Sequence, residues 1–218
     1  MEMAEFLVNG ARELSGEVTI AGSKNAVFPL IAAALLTDEE IILTRVPAIS
    51  DLEVMLEIVG KLGASATYDS QRRTLRISGR GISQSSVPED LGRKFRASIL
   101  FAGALLARTK KADLPYPGGD KLGARPLFPH FSALRLLGCD IQENNRLIFE
   151  GSNMKGSIVF LEEPSVTATE NTIISAVMLP GKTEIHLAAV EPHVQELVKF
   201  LNKMGAKLSW KDIGVLEI

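Results

Sequence analysis

Apolar residues recur along this chain in three rounds of the same order. Each round opens on a nearly continuous apolar stretch, which predicts buried helices over residues 25–36, 96–107 and 169–179. Small residues such as Ala32, Ala33, Ala34, Ala102, Gly103, Ala104 and Ala176 let such helices approach closely. A second, amphipathic helix follows in each round. Leu52, Met55, Leu56, Val59 and Leu62 carry its three- and four-residue spacing in the first, and Leu197, Val198, Leu201 and Met204 in the third. These helices end in related tripeptides, Leu62-Gly63-Ala64, Leu137-Gly138-Cys139 and Met204-Gly205-Ala206, where glycine suits a left-handed C-terminal cap. The three glycines fall 75 and 67 residues apart, close to a third of the chain.

Short alternating stretches fill the remaining positions and predict strands. They lie at 41–43, 66–68 and 74–77 in the first round, at 112–114 and 146–149 in the second, and at 159–161, 183–187 and 215–218 in the third. A further strand is expected at 17–20, ahead of the first buried helix. The unit is therefore strand, inner helix, strand, outer helix and two strands (βαβαββ), used three times over about 21–80, 81–155 and 156–218. A generic α/β domain with chance Leu-Gly-Ala echoes is the competing reading, and it needs a coincidence at matching places in three units.

Composition narrows the function classes. The 218 residues carry 24 Lys and Arg against 26 Asp and Glu, a net charge of −2 without a basic block, which argues against a nucleic-acid partner. The longest apolar runs are 11 residues, well short of the roughly 18 of a membrane span, and residues 1–16 carry Glu2, Glu5 and Glu13 instead of a secretory signal. Cys139 is the single cysteine, which excludes an internal disulfide and fits a reducing cytoplasm. His130, His186 and His193 are too scattered to suggest a metal site.

The starts of the inner helices carry the candidate chemistry. Ala21-Gly22-Ser23-Lys24-Asn25 brings unpaired N–H groups, a permissive glycine and a cation to one positive helix end. Arg96 and Ser98 open the second helix, and Ser165, Thr167 and Thr169 surround the start of the third, where N-capping competes with ligand contact. Lys24 opposes the helix dipole unless an anion arrives, so it points to ligand binding. If the repeat holds, all three starts face one end of the domain and form an electrostatic funnel for phosphate or carboxylate. The loop from Asp113 to Pro126, rich in proline and glycine, has the composition of a lid, with Asp120 and Arg125 in its second half. A carboxylate there acts as a general acid only if closure desolvates it; a solvated turn residue is the alternative.

Several stretches resemble the enolpyruvyl transferases, on the branch that uses UDP-N-acetylglucosamine. They are Gly16-Glu-Val-Thr-Ile20, Gly22-Ser-Lys-Asn-Ala26, Arg96-Ala-Ser98, Pro117-Gly-Gly119, Gly123-Ala-Arg-Pro126, Pro164-Ser-Val166, Ala168-Thr-Glu-Asn171 and Glu191-Pro192. The shikimate branch typically has Gly-Ser-Lys-Ser where this chain has Gly-Ser-Lys-Asn, a weaker match. The resemblance implies an inside-out α/β barrel of two lobes, with this chain as one lobe of three repeats at residues 21–218. Residues 1–20 would be a strand segment belonging to the second lobe. It also implies enolpyruvyl transfer from phosphoenolpyruvate to the 3′-hydroxyl of UDP-N-acetylglucosamine, in peptidoglycan synthesis, without a cofactor. Lys24, Arg96 and Arg125 would surround phosphoenolpyruvate, with Lys24 and Arg125 catalytic and Asp120 the general acid. Asn25 would contact the sugar, Ser165, Val166 and Thr167 the uridine diphosphate, and Asp51 and Pro126 would lie beside the substrates.

Departures from the family pattern carry expectations of their own. Asp120 stands where most members have cysteine, which implies insensitivity to fosfomycin, an epoxide that alkylates that thiol. Phe128 replaces a usual Asp, Thr167 a usual Gly, and Glu163 a Lys of some members, changes that imply an altered nucleotide preference or mere drift, and Phe128 and Glu163 also favour a non-catalytic binding module. The likeness covers the first half of a family enzyme. The second lobe would supply the general base for the sugar hydroxyl, so this half is expected to fold yet be inactive alone.

Overall fold

The third round of the pattern forms the most complete unit. The structure, a computed structural model, describes residues 5–11, 13–119 and 126–218. In the third unit β7 (Ile158–Phe160) leads into α6 (Val166–Ala176) and β8 (Glu184–His186), and α7 (Pro192–Lys203) leads to the hairpin β9 (Ser209–Asp212) and β10 (Val215–Glu217). The sheet order is β7-β8-β10-β9, with β7 parallel to β8 and the other neighbours antiparallel. A parallel pair needs a crossover, and α6 supplies it.

The first unit has α1 (Lys24–Ala34), β1 (Ile41–Leu43), α2 (Ser50–Lys61), β2 (Ser65–Asp69) and β3 (Thr74–Ser78), in sheet order β1-β3-β2. The second begins with the short α3 (Glu89–Gly92) and a 3₁₀ turn (Arg96–Ile99). It continues through α4 (Leu100–Thr109), β4 (Lys111–Leu114), α5 (Phe128–Leu136), β5 (Asp140–Glu143) and β6 (Leu147–Glu150), ordered β4-β6-β5. Where the third unit has its opening strand, the second has one parallel bridge, Ser86 to Asp113.

The expected strand at 17–20 does not form. Those residues have no regular structure and are exposed, Val18 and Ile20 included. Their alternation suits a half-buried sheet, but among the described residues no partner strand meets their backbone groups, and an isolated strand has nothing to bury against. Boundaries shifted elsewhere too. α6 starts three residues before the expected Thr169, and the start of the second inner helix is a 3₁₀ turn.

The inner helices α1, α4 and α6 touch one another and carry most of the core, from Ile31 and Leu35 through Phe101 and Leu105 to Ile173 and Ile174. Each amphipathic helix reaches into the following unit: α2 against α3, α5 against α6, and α7 against α1. This hand-over closes the three units around the helices. α4 and α6 meet at Gly103, whose N–H donates to Asn171 Oδ1 at 2.7 Å. The outer helices end as their tripeptides predict, with Gly63, Gly138 and Gly205 at φ of 95°, 93° and 102°. No helix among the described residues is long and apolar enough to cross a membrane.

Candidate anion-binding site

All three inner-helix starts open on one cavity of about 730 Å³. At the first, Gly22 lies so close to the loop before α2 that a Cβ would sit 1.9 Å from the Arg45 carbonyl oxygen, so only glycine fits. Ser23 then caps α1, its Oγ accepting from the Ala26 N–H at 3.3 Å. That turn delivers Lys24 and Asn25 to the cavity wall. Lys24 Nζ pairs with Asp51 Oδ2 at 2.5 Å and lies 6.0 Å from the centre of the Phe28 ring. The cation at a positive helix end is therefore offset by Asp51, which also lines the cavity, and Lys24 stays half-exposed.

The second start contributes Arg96, Ala97 and Leu100. Arg96 donates through Nη2 to the Pro126 carbonyl at 3.0 Å, which ties the helix start to the chain just before α5. Phe95 packs edge-on against Phe28, 5.6 Å between ring centres, and forms an apolar floor between two cationic starts. Ser98 faces inward and donates to the carbonyls of Gly92 and Phe95, so its role is structural.

The third start presents Val166, Thr167 and Glu170, one face of α6. Ser165 occupies the N-cap without a side-chain capping bond and does not line the cavity, and Thr169 turns inward to the Ser165 carbonyl and the Ala189 N–H. Behind Thr167 stands His130, fully buried and pushed down to about 3 by burial and by the nearby Arg96 charge. Asn171 accepts from Gly103 N–H through Oδ1, so its Nδ2 donates to the Ile99 carbonyl and to His130 Nδ1. This network assigns the imidazole proton to Nε2, which donates to Thr167 Oγ1 at 3.1 Å. The Thr167 hydroxyl proton is left to point elsewhere.

The cavity thus brings together Lys24, Asn25, Asp51, Arg96, Val166 and Thr167 of the residues singled out in the sequence, with Pro126 held beside it by Arg96. Asp120 and Arg125 lie outside the described residues. Lys94, Glu170, Glu191 and His193 also line the wall; the sequence reading places Glu170 and Glu191 within resemblance motifs and His193 among scattered histidines, and gives none of the four a role in the site. Glu170 follows Thr167 by three positions on α6, so helical spacing from an already suspected residue was the available signal. Among the described residues, the buried side-chain polar atoms without a hydrogen-bond partner are Glu170 Oε1 and His193 Nε2, both in residues of this cavity. No group of three or more His, Cys, Asp or Glu among the described residues is placed to hold a metal ion. Cys139 is buried, its thiol pushed up to about 12 chiefly by burial, and is chemically inert.

The family model described as EPSP synthase (3-phosphoshikimate 1-carboxyvinyltransferase) matches residues 8–214. A protein of Treponema denticola named UDP-N-acetylglucosamine 1-carboxyvinyltransferase is 46% identical over 217 residues, 99% of this chain and 50% of its own length. One of the same name from Bradyrhizobium diazoefficiens is 44% identical over 208 residues, 95% of this chain and 48% of its own. The enolpyruvyl transferase NikO from Streptomyces tendae superposes with a TM-score of 0.82 at 20% identity, covering 94% of this chain and 48% of NikO. EPSP synthase from Acinetobacter baumannii gives 0.74 at 19% identity, covering 93% and 46%. The chain therefore spans about half the length of the relatives it matches, and its fold is a lobe of the inside-out α/β barrel those structures share. With a family match across nearly all of its residues, the chain belongs to the EPSP synthase family of enolpyruvyl transferases.

Proposed function

We propose that this chain provides one lobe of an enzyme that transfers enolpyruvyl from phosphoenolpyruvate to the 3′-hydroxyl of UDP-N-acetylglucosamine, releasing phosphate. The observation that carries the reading is the convergence of three helix N-termini with Lys24 and Arg96 on one cavity, in a chain whose net charge is only −2. Cations concentrated in this way attract highly anionic substrates and stabilise charge on a departing phosphate. The names of the relatives support UDP-N-acetylglucosamine as acceptor. In this reading Lys24, Arg96 and Arg125 surround phosphoenolpyruvate, and Asn25 and Asp51 stand beside the sugar. Ser165, Val166, Thr167 and Pro126 stand toward the uridine diphosphate, and Asp120 donates the proton. A second lobe is the required partner, and the reaction belongs to cytoplasmic peptidoglycan synthesis.

The test is phosphate release by the purified chain given both substrates, beside an Asp120→Ala control. The expected result is none, with each substrate nevertheless binding in calorimetry. Release abolished by Asp120→Ala would mean that a complete site forms without a second lobe. Binding of the nucleotide sugar alone, without phosphoenolpyruvate, would favour a non-catalytic sugar-binding module, the reading suited to Phe128, half-exposed at the start of α5.

A further inference from the structure

Of the titratable cavity residues that the reading above leaves unused, Glu170 is the buried one. Only 2% of its surface is exposed, and Oε1 is buried without a hydrogen-bond partner, although a carboxylate so placed is costly unless paired. Among the described residues, no Lys or Arg forms an ion pair with it. From α7 come Glu191, its N-cap, and His193; from α5 comes His130, whose two ring nitrogens are engaged by Asn171 and Thr167. From α1 comes Lys24, already paired with Asp51 of α2. Lys94 and Arg96 precede α4, and Arg108 within α4 is committed to Asp38.

Charge balance gives the same answer by a separate route. Among the described residues, Lys24, Lys94 and Arg96 line the cavity against Asp51, Glu170 and Glu191. Three ionised carboxylates would offset these three cations within the described lining. With Glu170 neutral, a positive excess remains. Burial, aided by the Glu191 charge, pushes the Glu170 carboxyl up to about 8, so it carries its proton at neutral pH.

We propose that Glu170 is a ligand-binding residue that, as a neutral acid, donates its carboxyl O–H to an oxygen of the phosphate- or carboxylate-bearing anion held in the cavity. The inference rests on the anion reading of the site given above. A carboxylic acid kept protonated is a hydrogen-bond donor, and its ionisation both removes that donor and adds a repelling charge.

The experiment measures phosphoenolpyruvate affinity of the 218-residue chain by calorimetry at pH 7 and pH 9, for the natural chain, Glu170→Gln and Glu170→Leu. Glutamine keeps an N–H donor and does not titrate; leucine is similar in size and has no donor. For the natural chain Kd rises about tenfold between the two pH values, because only the protonated fraction binds. Glu170→Gln shows no such rise beyond that of the remaining groups, and Glu170→Leu binds about tenfold more weakly than Glu170→Gln at both values. Equal affinity of the Gln and Leu variants would overturn the donor contact, and parallel pH profiles for Glu170 and Gln would overturn the protonation. Failure of all three chains to bind phosphoenolpyruvate, while their circular dichroism shows them folded, would overturn the anion reading itself and the contact with it.

Discussion

Asn171 shows how much one side chain can hold in this fold. It is fully buried and joins the backbone of α4, at Gly103 N–H and Ile99 carbonyl, to the His130 ring that backs Thr167. Removing it leaves buried His130 Nδ1 without a donor, loses the added contacts to Gly103 and Ile99, and opens a cavity between α4 and α6, the unpaired nitrogen alone being worth roughly 1–3 kcal/mol. Asn171→Ala is expected to lower unfolding stability by about 3 kcal/mol, read as a fall in urea midpoint at unchanged slope. Asp120 carries a prediction that rests on chemistry alone. A carboxylate is a poor nucleophile toward an epoxide, and the buried Cys139 thiol is held protonated. Incubation with fosfomycin is expected to leave the intact mass unchanged; an adduct at Asp120 would refute this. At this scale Lys24, Asn25 and Arg96 were legible because each sits at a helix start next to glycine, serine or an apolar run. Glu170 was not, because its chemistry comes from burial and from Glu191, 21 positions away.

α4 and α6 cross closely at Gly103, beside the site. A Cβ at Gly103 would lie 2.5 Å from Asn171 Oδ1 and 2.7 Å from its carbonyl oxygen, so even alanine forces the helices apart. Gly103→Ala is expected to cost about 1–3 kcal/mol of stability despite alanine's better helix propensity. Equal or higher stability in the same urea assay would show that the helices can shift without loss. The apolar pattern placed both helices, and Ala102-Gly103-Ala104 suggested close approach. It could not say that the partner is Asn171, 68 residues on. Helix starts were less legible than helix ends. A C-terminal glycine at positive φ is a local requirement, whereas the start of α6 lies among Ser165, Thr167 and Thr169, each able to cap, and the N-cap Ser165 makes no side-chain capping bond.

Two buried titratable groups give the whole molecule a distinctive pH profile. His130 is neutral in the fold down to about 3, against 6.5 ordinarily, so stability falls as pH drops from about 6.5 toward 3 while the unfolded chain takes up a proton. Glu170 is raised to about 8 from 4.5, so its contribution is complete below about 4.5 and is lost as pH rises toward 8. Between pH 6.5 and 8 only the second of these acts. Urea midpoints are expected to decline across that interval by the equivalent of about 1–2 kcal/mol in the natural chain, and to stay level in Glu170→Gln. A decline shared by both chains would assign it to other groups.

The repeat, the buried and amphipathic helices, the capping glycines and the cationic starts can all be read along the chain, because periodicity, chain reversal and helix polarity are set within a few neighbouring residues. The fate of residues 17–20 could not be, since alternation states which face a strand would bury without stating whether another strand is there to pair with it. Nor could the Lys24–Asp51 pair, the His130–Asn171–Thr167 network or the proton on Glu170. Those depend on which distant side chains share one desolvated space, and only closure of the three units around α1, α4 and α6 brings them there.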